Sequence, residues 1–237
     1  MLMLAALGNH AAITRQLLEA GADPAVTDKK GRSMLHYAAH SDAVEVIELI
    51  MDTPVGAELM VKGDVAGALP IHCAAASGCN EAIKIFLDAG CAPDAADKYG
   101  RTPLYNAAGS GHLPTMELLL DHGSQVGLPT NSATGRSPLL KTISNGYLEC
   151  AQRLLKAGAD LHDRDTEGRT ILHYAVLEGH LDAVREVLSG QLGVFSATYD
   201  LNEVVDVNAQ DAKGRTPLHI ACVHSYDEMY ACERGGV

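Results

Sequence analysis

Six stretches, each opened by a glycine, recur along this chain at nearly one spacing: GRSMLHYAAH from Gly31, GALPIHCAAASGC from Gly67, GRTPLYNAAGSGH from Gly100, GRSPLLKTISNGY from Gly135, GRTILHYAVLEGH from Gly168 and GRTPLHIACVHSY from Gly214. Gly67 to Gly100 and Gly135 to Gly168 span 33 residues each, Gly31 to Gly67 spans 36, Gly100 to Gly135 spans 35 and Gly168 to Gly214 spans 46. Self-similarity at about 33 residues marks stacked helix pairs, in which no unit buries its apolar face alone and only the stack is stable. The period therefore predicts an all-α solenoid and excludes a single thick core.

Each recurring position has a physical task. Thr102 or Ser137 sits where a hydroxyl accepts an orphan backbone N–H, and Pro103 or Pro138 follows at the first helical position, where its missing N–H is harmless. Ala107 and Ala108 are small enough for the first helix to approach its neighbours, and Gly111 ends it in a left-handed conformation. A second, antiparallel helix returns with Leu119 and Leu120 filling the layer between repeats. Gly123 then turns the chain into a β-hairpin-like finger that ends near Asp97 in one unit and Asp165 in another.

Composition agrees with thin, similar layers. The chain is 47% hydrophobic yet carries no Trp and only two Phe, so Ala, Leu, Val and Ile must make the core. A formal net charge of −12 opposes binding to nucleic-acid phosphates or to an anionic membrane surface. Six cysteines form no C-x-x-C pair, which points to reduced thiols in the cytoplasm, with the nucleus as the alternative. The N-terminal run MLMLAAL is far shorter than the ~20 residues that span a bilayer.

The motif D-x-x-G-x-T-P-L-H-x-A-A-x-x-G-H, followed by a helix ending Leu-Leu-x-x-G-A, resembles the ankyrin repeat over nearly the whole chain. Besides the six registers, AALGNHAAITRQLLEAGADP matches as a partial N-terminal one. The repeats are read as 1–27 (partial), 28–63, 64–96, 97–131, 132–164, 165–210 and 211–237 (truncated), all in one domain, 1–237. Both ends fall inside a repeat, so a fragment of a longer protein is expected. Three units depart from the pattern. Repeat four has Leu140 for the histidine and Thr142-Ile143 for the alanine pair, repeat one has Asp42-Ala43 for the Gly-His stop and Pro54 for the later glycine, and repeat two has Leu69 for the threonine cap.

The resemblance implies that His36, His72, His173 and His219, at the T-P-L-H position, and His10, His112 and His180, at the G-H position, join neighbouring turns by hydrogen bonds. A zinc set of His219, Cys222, His224 and Cys232 is the best metal candidate. Its first two members lie at repeat core positions, so no metal is expected. No nucleophile, base and orienting acid share a motif, and no lysine follows a glycine pair to make a phosphate loop. Neither catalysis nor a cofactor is expected.

The resemblance further implies a protein partner lying across finger tips and first helices. Nine of the chain's 18 Lys and Arg residues fall on the 18 finger positions, against one acid. The candidate contacts are Lys29, Lys30, Arg32, Lys98, Tyr99, Arg101, Arg136, Arg169, Lys213 and Arg215. They read either as ordinary family spellings that keep the fingers solvated or as a ladder for an acidic or phosphorylated segment. The arginines are taken as exposed, adding little to stability. A monomer is expected, serving either as a binding module or as a regulatory stack that controls a catalytic or membrane domain elsewhere in a longer chain. The insertion 190–203 accounts for the long interval. It is read as a packed cover, as a tolerated loop, or as a source of aromatic anchors at Phe195 and Tyr199.

This register separates packing positions from contact positions. Ala107→Leu is expected to overpack the junction between first helices and to lower stability by about 1–3 kcal/mol. Ser110→Ala is expected to change it by less than about 0.5 kcal/mol. Urea denaturation midpoints of the two variants check the register, and equal midpoints would refute it.

Overall fold

A computed structural model describes residues 1–128, 130, 134–190, 192 and 205–223, and the described chain is helical with no strand. It divides into two compact units, Met1–Gln125 and Val126–Val237.

Among the described residues the first unit holds α1 (Leu2–Leu7), α2 (Ala11–Glu19), α3 (Met34–His40), α4 (Val44–Met51), α5 (Pro54–Met60), α6 (Pro70–Ser77), α7 (Asn80–Asp88), α8 (Pro103–Ser110) and α9 (Leu113–Asp121). The first helices α1, α3, α6 and α8 pack one on the next, and the second helices α2, α4, α7 and α9 form a parallel row behind them. The alanine pairs explain the close first row: Ala38, Ala39, Ala74, Ala75, Ala107 and Ala108 are all without exposure. Leu119 is fully buried between the layers, whereas Leu120 is only half-buried. The second unit holds α10 (Pro138–Ser144), α11 (Leu148–Lys156), α12 (Ile171–Leu177) and α13 (Leu181–Leu188), followed by helical residues 217–223. Here α10 packs on α12, with Thr142 and Ile143 fully buried in place of alanines. The Thr142 hydroxyl donates to the Leu139 carbonyl at 2.7 Å, which satisfies the polar group that this departure buries.

Gly78 shows why the first helices stop where they do. Its φ of +77° is left-handed, and a Cβ there would lie 2.9 Å from Nδ1 of His112 in the next repeat. Both the backbone and the neighbour demand glycine. In repeat one Asp42 takes the same place with φ at 52°. Its carboxylate accepts from the backbone N of Ala82 at 2.9 Å, near the start of α7, so a cap across the repeat junction offsets the strained backbone. Pro54, the other departure in that repeat, opens an extra helix, α5, where the other repeats turn on glycine.

Each finger is a turn rather than a strand pair. In the third repeat the Asp97 backbone N donates to Arg101 O at 3.0 Å, and the Asp97 carboxylate accepts from the N–H groups of Tyr99 and Arg101 at 2.8 and 2.9 Å. The same closure recurs at 28–32, 165–169 and 211–215. Neighbouring fingers share a backbone bond, Val65 N to Lys30 O and Lys98 N to Ala66 O in the first unit, Thr166 N to Thr134 O and Ala212 N to Glu167 O in the second. The fingers are thus hairpin-like in closure without a continuous ladder.

One core position is mismatched. Thr14 of α2 is fully buried, and its hydroxyl has no hydrogen-bond partner. The equivalent positions in the first unit hold the fully buried Ile47, Ile83 and Met116. An unsatisfied buried hydroxyl is destabilising, so the near-isosteric Thr14→Val is expected to raise unfolding stability by about 1 kcal/mol, read from the urea midpoint at unchanged slope.

Candidate functional site

The candidate surface begins with the histidines that hold the fingers in place. At the start of α3 the Ser33 backbone N–H donates to Nδ1 of His36 at 3.1 Å, and the Ser33 hydroxyl lies 3.0 Å from the same nitrogen. An imidazole thus fills the helix position at which a capping box usually places a carboxylate or amide. Because Nδ1 accepts, the proton lies on Nε2, which donates to Ala68 O at 2.9 Å in the next finger. His72 does the same between Leu69 N and Arg101 O, and His173 between Thr170 N and Arg215 O. His72 keeps this bond although Leu69 cannot cap with its side chain. The G-H histidines reach backward instead, His112 to Ala76 O at 3.2 Å and His180 to Ser144 O at 3.1 Å. Burial holds both His36 and His72 below the usual imidazole pKa, despite the carbonyl bonds that raise it.

Where the histidine is missing, other caps appear. Thr102 Oγ1 accepts from Tyr105 N, and Ser137 Oγ accepts from Leu140 N, both at 3.2 Å. Thr130 Oγ1 donates to the Arg136 carbonyl at 2.9 Å.

The finger arginines are tied to their own turns. Nε of Arg32, Arg101, Arg169 and Arg215 donates to the carboxylate of Asp28, Asp97, Asp165 and Asp211, at 2.7 to 2.9 Å. Burial pushes the Asp97 and Asp165 carboxyls up, but the donors outweigh it and hold both below the usual range, the Arg101 guanidinium and backbone amides at Asp97, and the Tyr174 hydroxyl followed by the Arg169 amide and guanidinium at Asp165. The expectation of exposed arginines with little structural part therefore needs revision. The Asp165 side chain is 0% exposed, and Arg169, at 13%, is the cation that neutralises it. A carboxylate in place of Arg169 would face a buried like charge.

Arg136 has no finger aspartate, because Ser132 stands at that position. It crosses to the next repeat, where Nε donates to Tyr174 Oη at 2.8 Å and the guanidinium lies 4.6 Å from the ring centroid. Arg169 lies 5.0 Å from the same ring, and Tyr174 Oη donates to Asp165 at 2.7 Å. Burial first, and the bond to Asp165 second, push the Tyr174 hydroxyl up to about 12. Arg136 so links two repeats where Leu140 offers no imidazole. Tyr174 belongs to this construction, and the residue that reveals it in the sequence is the missing aspartate, not the tyrosine itself.

The exposed charge at the tips is mainly lysine. Lys29, Lys30, Lys98 and Lys213 are all exposed. Lys98 Nζ donates one proton to Val65 O at 2.8 Å, which leaves two N–H donors on the ammonium. Between them stand two apolar surfaces, Val65 at 61% exposure and Tyr99 at 47%, the latter stacked on Arg101 at 4.9 Å. In the first unit these residues share one edge, because backbone bonds join the three fingers in succession.

Of the zinc candidates, His219 Nδ1 accepts from Thr216 N at 3.2 Å and Cys222 is exposed, while His224 and Cys232 lie outside the described residues. Phe195 and Tyr199 also lie outside them. The described cysteines, Cys73, Cys79, Cys91, Cys150 and Cys222, are free. No helix among the described residues is long and apolar enough to cross a membrane.

A family model described as ankyrin repeats (3 copies) matches residues 1–63, 55–130, 125–199 and 165–232. The chain is 31% identical over 176 residues to the mouse B-cell lymphoma 3 protein homolog, covering 73% of this chain and 39% of that protein. It is 28% identical over 216 residues to the chicken nuclear factor NF-kappa-B p105 subunit, covering 87% and 20%. It is 27% identical over 206 residues to a Caenorhabditis elegans homolog of transient receptor potential cation channel subfamily A member 1, covering 86% and 15%. The chain thus spans well under half the length of these relatives.

The buried imidazoles give stability a pH dependence. With the folded pKa of His36 and His72 lowered, the unfolded chain binds more protons below about pH 6.5, so stability falls as pH drops from there toward the lowered values. The loss is at most about 1.4 kcal/mol per pH unit for each histidine. Urea midpoints followed from neutral to mildly acid pH are expected to fall less steeply in His36→Gln than in the parent. Identical slopes would show that His36 is not a titrating group.

Proposed function

The chain belongs to the ankyrin-repeat family, and we propose that it is a protein-recognition module, without catalysis or cofactor of its own, that takes an anionic protein segment along its finger tips and first-helix face. Members of the family generally mediate protein–protein binding. The observation that carries the finer reading is the separation of charge within the first unit. Lys29, Lys30 and Lys98 are exposed at the tips, whereas the second helices expose Glu19, Glu48, Asp88 and Asp121. On a chain of net charge −12, an acidic partner is repelled from the second-helix row and drawn to the finger edge. The candidate contacts at the tips supply this charge, and those bound to aspartates, Arg32, Arg101, Arg169 and Arg215, shape the turns that present it. The free thiols support a place in the cytoplasm or nucleus.

A second reading makes the stack a regulator of a channel or catalytic domain in the same polypeptide. It is supported by the similarity to the nematode channel homolog. A complete reading frame that encodes such a domain would favour it.

The recognition reading is tested with photo-crosslinking amino acids placed at Tyr99 and Ser110, on the tip and first-helix side, and at Glu48, on the second-helix side. Protein crosslinks in lysate are expected from the first two positions, and fewer as ionic strength rises from about 0.05 M to about 0.3 M, where screening shortens to less than a nanometre. Crosslinks from Glu48 alone, or none at any position, would overturn it.

A further inference from the structure

Resting on the recognition reading above, we infer that the partner segment is an extended run of carboxylate side chains interleaved with apolar ones, read by the first three fingers, and not a phosphorylated side chain. Three observations carry this. The first is which cations are available. Arg32 and Arg101 have their charge cancelled by Asp28 and Asp97 within the same turn, at 2.7 and 2.6 Å. Among the described residues the lysines Lys29 and Lys30 have no ion pair, and the Lys98 ammonium is bonded only to a neutral carbonyl.

The second observation is how these cations are arranged. A phosphate dianion favours donors that converge on one point, above all the planar fork of an unpaired arginine. Here the ammonium groups follow one another along an edge: Lys29 and Lys30 on the first finger, then the Lys98 ammonium at the carbonyl of the second finger's Val65. Adjacent packed helices stand about 8–10 Å apart, and an extended chain in the polyproline II form advances about 3.1 Å per residue and returns to the same face at every third one. Carboxylates about three residues apart therefore meet successive cations.

The third observation is what lies between and beyond them. Val65 presents a β-branched apolar side chain beside Lys30, and Tyr99 presents a ring held by Arg101 on the third finger. An acidic run with no apolar residue would leave both in water. A segment that places Val, Leu or an aromatic between its acids covers them, while its carboxylates keep clear of the acidic second-helix row.

The test uses fluorescein-labelled synthetic peptides and the whole chain, read by fluorescence anisotropy at low salt. One peptide carries Glu at every third position with Val or Leu between, a second replaces each Glu by Gln, and a third carries a single phosphoserine in the Gln background. The Glu peptide is expected to bind best, and Lys29→Glu with Lys30→Glu is expected to weaken it by about tenfold or more. Lys98→Met, which keeps the stem and removes the charge, is expected to weaken it less. The pair Arg15→Glu and Lys84→Glu makes the same net-charge change on the second-helix row and is expected to leave binding within about twofold. Equal binding of the Glu and Gln peptides, tighter binding of the phosphoserine peptide, no binding of any peptide, or an unchanged affinity in the folded lysine double variant would each overturn the inference. Tip crosslinks to a protein partner that survive Lys29→Glu with Lys30→Glu would overturn it while leaving the recognition reading intact, whereas the loss of all tip crosslinks in the parent chain sinks that reading.

Discussion

An imidazole held in one tautomer is what keeps each latched finger in register with the helix before it. Nδ1 of His36, His72 or His173 takes the backbone proton at the helix start, so Nε2 must carry the ring proton and give it to the next finger's carbonyl. One buried side chain thereby satisfies an orphan donor in its own repeat and an acceptor in the following one. A protonated ring could not accept at Nδ1, so the neutral form is part of the architecture. Together with the backbone bonds between neighbouring fingers, these bonds stop each turn from swinging independently.

The finger aspartates supply the second constraint. Asp28, Asp97, Asp165 and Asp211 each gather two backbone N–H groups and a guanidinium, which fixes the turn and neutralises the arginine in the same step. The consequence for function is a division of labour among cations that look alike in the sequence. Arginines four residues past an aspartate pair with it and shape the turn, and lysines at the tip keep their charge for solvent or a partner. Arg136 is the exception that explains the rule. With serine in place of the aspartate, its guanidinium moves to Tyr174 of the next repeat and replaces the missing imidazole bridge.

Much of this was legible from residue patterns. The glycine period, the alanine pairs and the Thr-Pro starts each follow from local sterics or capping, which act within a few residues, and the helices α3, α6, α8, α10 and α12 begin and end where those signals lie. The roles of His36, His72, His173, His112 and His180 followed from the family pattern. The fate of the arginines did not, because a guanidinium on a finger reads the same whether it faces water or folds back on its own aspartate. The same blindness applied to Asp42, whose use as a cap for α7 depends on a helix some forty residues away. Pro54 was seen as a disturbance, but that it opens the extra helix α5 was not.

The sequence by itself determined the class of fold, since a period near 33 residues with small residues at fixed places can bury its apolar surface only by stacking. It also determined the chemistry at the finger edge, a concentration of positive charge on an acidic chain. Tertiary structure alone decided which of those charges are available. The choice between solvent and an internal partner turns on differences of an ångström between a guanidinium and a carboxylate, and on the burial that makes such a pair strong. It likewise decided that Thr14 lies in the core without a partner, because a hydroxyl's need for one becomes costly only once the neighbouring helices exclude water.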